Sequence, residues 1–409
     1  MLAFTAAAAQ TPAASQNESL FPEIEGISRS LEEITGLKFK HKVVAAVLDK
    51  DQLRKFLTTR IDKTMRPADI KAEALILKML GLIPRGFDLR GQTVDLLTEQ
   101  AAAFYDYQRK KLFLMQGDTG EAALMALAHE LAHALADQNF HLEKYIKQNS
   151  QSDDAATARM AVMEGQATWL MSTYLHQRAG LGVDIPPVML QMMGTSLEQG
   201  ASQFPVFSQS PLYIRESLIF PYRGGLLFQD AVYRKLGKDG FAEVFRRAPV
   251  SSQQIFHPER YLEQEGPKLP QVPVVPEAKQ FRKLAEGTLG EFDYRVMLAQ
   301  YGAGEWAKDQ AKDRAKALAA SLLGSQFVLF EDKKDEHPVL AFASRWKSEA
   351  EAGEFWTFYR QALKAKSQTF EPGEESATMF SGRTEAGFYR VTRKNDVVES
   401  IEGLKTSVN

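Results

Sequence analysis

The pattern of hydrophobic and polar positions predicts a mainly helical chain that also contains two groups of short strands. Apolar residues at helical spacing predict helices over 24–35, 51–62, 67–81, 121–141, 153–175, 213–236 and 240–246. Short apolar runs predict strands over 40–48, 102–107 and 111–115. Residues 180–211, rich in Pro, Gln and Met, predict a loop with a short helix.

A proline-rich segment interrupts this pattern. Prolines recur at every third position from Pro267 to Pro276, which is typical of an extended polyproline linker. Beyond it we predict helices over 290–301, 304–322 and 348–365, and strands over 325–331, 338–345, 376–382, 386–393 and 396–402. The predicted organisation is a disordered tail or signal remnant (1–20), a first domain (21–266), the linker (267–280) and a C-terminal α+β module with an antiparallel sheet (281–409).

The helix predicted over 121–141 contains the motif His129-Glu130-Leu131-Ala132-His133. Residues four apart on a helix are neighbours about 5–6 Å apart at Cβ, so both imidazoles project from one face and can bind one cation. Glu130 is offset from that face and can reach a water molecule bound to the ion. Two histidines supply half of the near-tetrahedral ligand set that Zn²⁺ prefers.

The alternative is that both histidines lie on the solvated face of an ordinary amphipathic helix. Leucines occupy the opposite face at core spacing, but the histidine face carries mostly alanine. A solvated face would carry Lys and Glu instead. We therefore predict that this helix is buried nearly all round and that the histidines bind a metal ion.

Glu164, on the next predicted helix, is the candidate for the third ligand. Its helical neighbours are Met and Ala, and an ionised carboxylate in apolar surroundings is costly unless a cation or hydrogen bonds compensate it. Gly165 predicts a close approach to another helix, which we expect to be the histidine helix. The alternative is a Glu at the rim of a packed helix, with its carboxylate in water.

These residues resemble the gluzincin zinc metallopeptidases, in which the H-E-x-x-H helix supplies two ligands and a Glu of the following helix supplies the third. Residues 129–138 and 164–168 are similar to uncharacterised bacterial members, as are residues 103–106, 111–114, 220–222 and 257–261. The resemblance covers about residues 40–265. It implies a zincin-like core with a small upper β-sheet, Zn²⁺ as cofactor and a peptide or protein substrate. The expected fold class is α+β and mainly helical.

In such a site Glu130 would act as the general base, taking a proton from water and passing it to the leaving amine. Metal-bound imidazoles usually donate their second N–H to an oxygen atom, which fixes their orientation. Asp137, one turn beyond His133, is a candidate for this supporting role, as is Thr168, one turn beyond Glu164. The alternative for Asp137 is a surface residue at the end of the helix.

Gluzincins commonly use a downstream Tyr or His to stabilise the tetrahedral intermediate. The resemblance therefore points first to Tyr222, which follows Pro221, and then to His257 and Tyr261. For each of these residues a structural role is equally open: Tyr222 as a core aromatic residue, and His257 as the cap of a loop.

The composition of the chain argues against several classes of function. The 409 residues carry a formal net charge of −2, which gives no long-range attraction to nucleic acids or anionic membranes. No run reaches the 18 apolar residues of a transmembrane helix. The absence of cysteine excludes disulfides, thiolate zinc sites and cysteine nucleophiles. The first ten residues resemble the end of a secretory signal, so we expect a periplasmic or secreted protein, with the cytoplasm as the alternative.

Two other functions compete with peptide hydrolysis. One is a catalytically inactive scaffold in which zinc joins two helices and the C-terminal module binds a partner. Two features disfavour it: Glu130 is present, and a purely structural zinc site would have a fourth protein ligand. The other is a hydrolase that acts on a different amide or ester.

Overall fold

We describe the protein from a computed structural model, which covers residues 20–64, 66–117, 120–147, 152–276, 278–302 and 311–407. The fold is α+β with 57% of the residues in helices, so the predicted mainly helical class is confirmed. The first elements are α1 (Glu23–Thr35), β1 (Val44–Leu48), α2 (Lys50–Thr64), α3 (Pro67–Met79), α4 (Leu89–Gln100), β2 (Ala103–Asp106) and β3 (Lys111–Met115).

A run of helices follows this small group of strands. It comprises α5 (Gly120–Phe140), α6 (Leu142–Lys147), α7 (Asp153–Arg178), α8 (Pro187–Ala201), α9 (Pro205–Gln209), α10 (Leu212–Leu236), α11 (Asp239–Arg246), α12 (Ser252–Phe256) and α13 (Pro258–Leu262). Among the long helices, α7 packs against both α5 and α10. Residues 126–137 of α5 are all buried, which confirms that this helix is enclosed on every side.

The C-terminal part consists of a larger sheet with three helices. Its elements are β4 (Phe281–Thr288), α14 (Glu291–Tyr301), α15 (Ala311–Ala320), β5 (Leu322–Asp332), β6 (Pro338–Trp346), α16 (Glu349–Lys366), β7 (Phe370–Glu375), β8 (Met379–Thr384), β9 (Gly387–Lys394) and β10 (Val397–Leu404). The strand order is β4-β5-β6-β10-β9-β8-β7, and every pair is antiparallel, as predicted. The predicted helix over 304–322 lies partly outside the described residues.

The smaller sheet has the order β1-β3-β2, with β3 parallel to β1 and antiparallel to β2. The central position belongs to β3, and β2 is the edge strand beside α5. All four residues of β2 are buried, because α5 covers this edge.

The segment predicted as a linker packs against the larger sheet. The backbone N–H of Lys268 donates to the carbonyl oxygen of Leu323 at 2.8 Å, and Pro270 and Val275 are buried. One continuous cluster of buried apolar side chains extends from α3 and α7 to α14, α16 and the larger sheet. The C-terminal part therefore shares a core with the helices before it. No helix of the described residues is long and apolar enough to cross a membrane.

Candidate metal centre

The two motif histidines lie side by side on the buried face of α5. Their ring centroids are 4.8 Å apart, and the two Nε2 atoms are separated by 3.1 Å. The 3.6-residue period of the helix produces this arrangement, because side chains at i and i+4 lie one above the other. Both rings thus present a nitrogen atom to the same point.

Glu164 of α7 reaches the same point from the neighbouring helix. Its Oε2 atom lies 3.1 Å from Nε2 of His129 and 3.3 Å from Nε2 of His133. The three side chains form a buried group that could hold a metal ion. The structure thus brings together the three residues that the sequence suggested as ligands.

The distances between these three atoms suit a shared cation. Bonds of about 2.0–2.1 Å in tetrahedral geometry place ligand atoms about 3.3 Å apart, close to the observed 3.1–3.3 Å. Hydrogen bonds among the three side chains would not satisfy all three of these atoms. If both histidines carried a proton on Nε2 to donate to Glu164, the two N–H groups would crowd each other.

Electrostatics favour an ionised Glu164. Burial acts to raise the pKa of this carboxyl group, but His133 and His129 outweigh burial and hold its pKa at about 2. Glu130 differs: burial raises its pKa to about 7, against the opposing effect of His133. The two adjacent carboxyl groups therefore differ strongly in proton affinity, although both are buried.

Glu130 is held at the edge of the smaller sheet. Its Oε2 atom accepts a hydrogen bond from the backbone N–H of Tyr105 in β2, at 2.6 Å. Tyr105 also pairs with Leu112 of β3, so the N–H that binds Glu130 belongs to the outer edge of β2. The sequence predicted this strand but gave no sign of its contact with Glu130, since that contact depends on how α5 packs on the sheet.

The structure also brings Tyr222 to the group. The Tyr222 ring, on α10, lies nearly parallel to that of His129, with 5.8 Å between centroids and an angle of 23°. The side chain is buried. Tyr222 is therefore both a core aromatic residue and a neighbour of the candidate ligands.

Asp137 and Thr168 do not have the contacts that we expected for them. The Asp137 carboxylate accepts hydrogen bonds from the Tyr105 hydroxyl at 3.0 Å and from Lys110 Nζ at 2.7 Å. The Thr168 hydroxyl donates to the backbone carbonyl of Glu164 at 2.7 Å. Nδ1 of His129 is buried and has no hydrogen-bond partner among the described residues.

His257 and Tyr261 lie in a different environment from Tyr222. His257 Nε2 lies 3.0 Å from the carboxylate of Glu291 in α14, where the C-terminal part meets the helices before it. The Tyr261 hydroxyl donates to the backbone carbonyl of Arg247 at 2.8 Å. Both contacts are structural, and the residues that make them lie far along the chain from the motif helix α5.

The candidate metal centre is closed to solvent. The exposed fractions are 1% for His129, 6% for His133, 2% for Glu164 and 1% for Glu130. A small cavity of about 20 Å³ lies beside Tyr222, lined by residues of α8 and α10, by Phe204 and by Gln100 at the end of α4. The low exposure of the ligands means that a substrate could reach them only after surrounding elements move apart.

Residues 279–408 match the model of a protein family described as a domain of unknown function (DUF8575). This match covers the C-terminal part of the chain and does not include the candidate metal centre. Comparison with curated proteins and with solved structures finds no match to this chain.

Proposed function

We propose that the protein is a zinc-dependent hydrolase of peptide bonds, with His129, His133 and Glu164 as metal ligands. The observation that supports this most is the triangle of two imidazole nitrogens and one carboxylate oxygen, with sides of 3.1–3.3 Å. Two nitrogens and one oxygen are a common catalytic ligand set for zinc, which keeps its fourth position open. The pair of ligand helices beside a small sheet is also what a zincin-like core requires.

The residues of the chain have distinct roles in this proposal. A bound Zn²⁺ would polarise the scissile carbonyl and lower the pKa of a water molecule. Glu130 would accept the proton of the attacking water and deliver it to the leaving amine. The backbone N–H of Tyr105 holds the carboxylate of Glu130 in a fixed position. Tyr222, stacked on His129, would donate a hydrogen bond to the developing oxyanion.

One observation favours a second function, a metal-joined scaffold without catalytic activity. All four residues of the centre are at least 94% buried, and a catalytic centre must admit its substrate. A structural ion would connect α5 to α7 in the middle of the core. The ligand set argues against this function, because structural zinc sites usually have four protein ligands.

Metal content and hydrolysis measured on the same variants separate these functions. We expect the purified protein to bind one Zn²⁺ per chain and to cleave a denatured protein such as casein. Glu130→Gln should keep the zinc and lose at least about 100-fold in turnover, since general base catalysis contributes about 10²–10⁴. His133→Ala should lose both zinc and activity. Glu121→Gln, an exposed position on the same helix, is the matched control.

Three results would contradict the proposal. Full turnover by Glu130→Gln would exclude this residue as the base. Stoichiometric zinc without hydrolysis of casein or of a library of peptides, amides and esters would support the scaffold. Cleavage of esters or other amides, without cleavage of any peptide, would show that the protein is a hydrolase but not a peptidase.

A further inference from the structure

A basic groove, the α2 groove, follows one face of α2 at the end of the smaller sheet. Its volume is about 410 Å³, within the range of about 300–1,000 Å³ that is usual for ligand-binding clefts. Four of its lining residues are basic, namely Lys55, Arg60 and Lys63 of α2 and Arg109 of the turn between β2 and β3. No acidic side chain of the described residues lines it. The groove is therefore positively charged, although the whole chain has a formal net charge of −2.

The α2 groove and the candidate metal centre lie on opposite sides of the smaller sheet. Phe104 of β2 belongs to the same apolar cluster as Leu53 of α2. The next residue, Tyr105, belongs to the cluster that contains Leu131 of α5. Consecutive side chains of a strand point to opposite faces, so α2 and α5 cover different faces of the sheet. The groove is thus separate from the metal-binding helix.

Two arginines of the groove are held in place by a buried carboxylate and an aromatic ring. Asp106 accepts a hydrogen bond from Arg60 Nη2 at 3.0 Å, and its second oxygen lies 3.6 Å from Nε of Arg109. Both guanidinium groups also lie over the Phe56 ring, 5.7 Å and 5.2 Å from its centroid. Side chains that are already ordered lose less conformational freedom when they bind a ligand. Asp106 compensates one of the two positive charges.

The two lysines of the groove add positive charge that is not compensated. Neither Lys55 nor Lys63 forms an ion pair with a residue in the described part of the chain, whereas Asp62 of the same helix pairs with Arg90. Both lysines are exposed. They lie eight residues apart, which is about 12 Å along the helix axis. The groove therefore presents a row of positive charges and not a single charged point.

Such a row suits an extended chain that carries several negative charges. The lining residues of α2 run from Gln52 to Lys63, about 16 Å of helix, which matches about five residues of an extended peptide. Leu48 and Phe56 add apolar surface to the same lining. A peptide with apolar side chains among its carboxylates would complement both parts of the groove.

A nucleic acid strand fits the groove less well than an acidic peptide. A strand longer than the groove would extend over a protein whose formal net charge is −2, which is unfavourable for a polyphosphate. A short acidic segment stays within about 8 Å of the basic side chains, the distance over which charges interact at physiological salt. Phe56, which could stack on a base, already contacts Phe104 and both guanidinium groups.

We propose that the α2 groove is a docking site for an acidic, extended peptide segment of another protein. The carboxylates of this segment pair with Lys55, Lys63 and the two ordered arginines, and its apolar side chains contact Leu48 and Phe56. Docking at this site does not depend on the proposed hydrolysis, because the groove lies across the sheet from the candidate metal centre.

Two matched peptides test the charge requirement. Glu-Glu-Leu-Leu-Glu-Glu and Gln-Gln-Leu-Leu-Gln-Gln, each with the same rhodamine label, are titrated with the full chain carrying Glu130→Gln, which prevents cleavage of the probes. Fluorescence anisotropy measures the Kd. The acidic peptide should bind at least about fivefold more tightly, since several exposed ion pairs add up. Its affinity should fall when NaCl is raised from about 50 mM to about 300 mM. Equal affinity for the two peptides would overturn the proposal.

Lysine variants test the location of the site. The double variant Lys55→Gln and Lys63→Gln should weaken binding of the acidic peptide by about three- to tenfold, since two exposed ion pairs are lost. The matched control, Lys235→Gln with Lys364→Gln, removes the same charge from exposed positions of α10 and α16 and should change the Kd less than about twofold. Thermal midpoints show that each variant is folded. Equal Kd values in the groove variant and the control would overturn the assignment to this groove.

An oligothymidylate tests the competing class of ligand. A strand of about ten nucleotides, with the same label, is long enough to fill the groove. We expect it to bind more weakly than the acidic peptide at the same salt concentration. Tighter binding of the oligonucleotide, lost in the variant Lys55→Glu with Lys63→Glu, would identify a nucleic-acid site and overturn the proposal.

Discussion

Gly165 sets the distance between α7 and α10, next to the candidate ligand Glu164. A Cβ atom at this position would overlap the backbone of Gly225, and a Cβ at Gly225 would overlap the carbonyl of Ala161. The close approach that the sequence predicted therefore exists, but its partner is α10 and not the histidine helix. The earlier expectation was wrong because glycine reveals a close contact without identifying the partner.

Gly165→Ala should force α7 and α10 apart and displace Glu164. We expect a loss of at least about 2 kcal/mol in the free energy of unfolding, since overpacking a core costs about 1–3 kcal/mol or more. Zinc affinity should fall as well. Urea unfolding and zinc titration measure the two effects.

Gly26→Ala, on α1, is the control for this substitution. A Cβ at Gly26 meets nothing within 4 Å, so alanine there should stabilise the helix by up to about 1 kcal/mol. Wild-type stability and zinc affinity in Gly165→Ala would show that the contact between α7 and α10 does not position Glu164.

The residues of the centre were predictable to different degrees. His129 and His133 come together through local helical geometry, which the sequence contains directly. Glu164 was recognisable because a carboxylate among apolar neighbours needs a partner. The hydrogen bonds of Asp137 depend on the hairpin turn at Lys110 and on Tyr105, which only the packing of α5 on the sheet brings near.

At the scale of elements, α4 holds the start of α9 next to the cavity. The Glu99 carboxylate accepts hydrogen bonds from the backbone N–H groups of Val206 at 2.9 Å and Phe207 at 3.1 Å. These are the first free N–H groups of α9, where a negative charge is favourable. Glu99→Ala should therefore destabilise the protein by about 1–2 kcal/mol in urea unfolding.

Asp95→Ala is the matched control on the same helix. Asp95 pairs with Arg54 at the surface, and exposed ion pairs contribute about 0–1 kcal/mol. Equal losses in Glu99→Ala and Asp95→Ala would mean that Glu99 does not specifically stabilise the start of α9.

Elements with a clear apolar pattern were predictable, and those without one were missed. Helices α1, α3, α5, α7, α10 and α16 lie where the spacing of apolar residues predicted them. The prediction omitted β4 and β7, the two edge strands of the larger sheet. β7 has the sequence Phe-Glu-Pro-Gly-Glu-Glu and is almost wholly exposed, so its strand conformation comes from pairing with β8 and not from its own residues.

At the scale of the whole molecule, the C-terminal part binds the chain segment after α3. Gln300 and Tyr301 both donate to the carbonyl oxygen of Gly81, and Lys366 Nζ donates to that of Met79 at 2.7 Å. Buried carboxylates lie at a second contact, where Asp154 of α7 and Asp293 of α14 face each other across the junction. The second contact joins α7, the helix that carries Glu164, to the C-terminal part of the chain.

These carboxylates make the stability of the molecule dependent on pH. Burial, together with the charge of Asp154, raises the pKa of Asp293 to about 7. A carboxyl group whose pKa is raised in the folded state stabilises the fold at low pH and loses this contribution as pH rises through the folded-state pKa. Asp293→Asn keeps an acceptor for Tyr213 but cannot ionise. It should remove about 2 kcal/mol of the stability difference between pH 5 and pH 8.

Urea unfolding of wild type and variant at these two pH values measures this effect. Asp313→Asn, at an exposed position of α15, is the control and should leave the pH dependence unchanged. The same slope in wild type and Asp293→Asn would show that Asp293 ionises without cost at the junction.

The burial of the three candidate ligands also governs how an ion could arrive and leave. With side chains that are 1–6% exposed, an ion can enter or leave the folded protein only when the surrounding helices part. Stripping by a chelator would then proceed at the rate of that opening, whatever the affinity of the chelator. The rate of isotope exchange of the bound ion would therefore measure the rate of the opening motion that a substrate would also need.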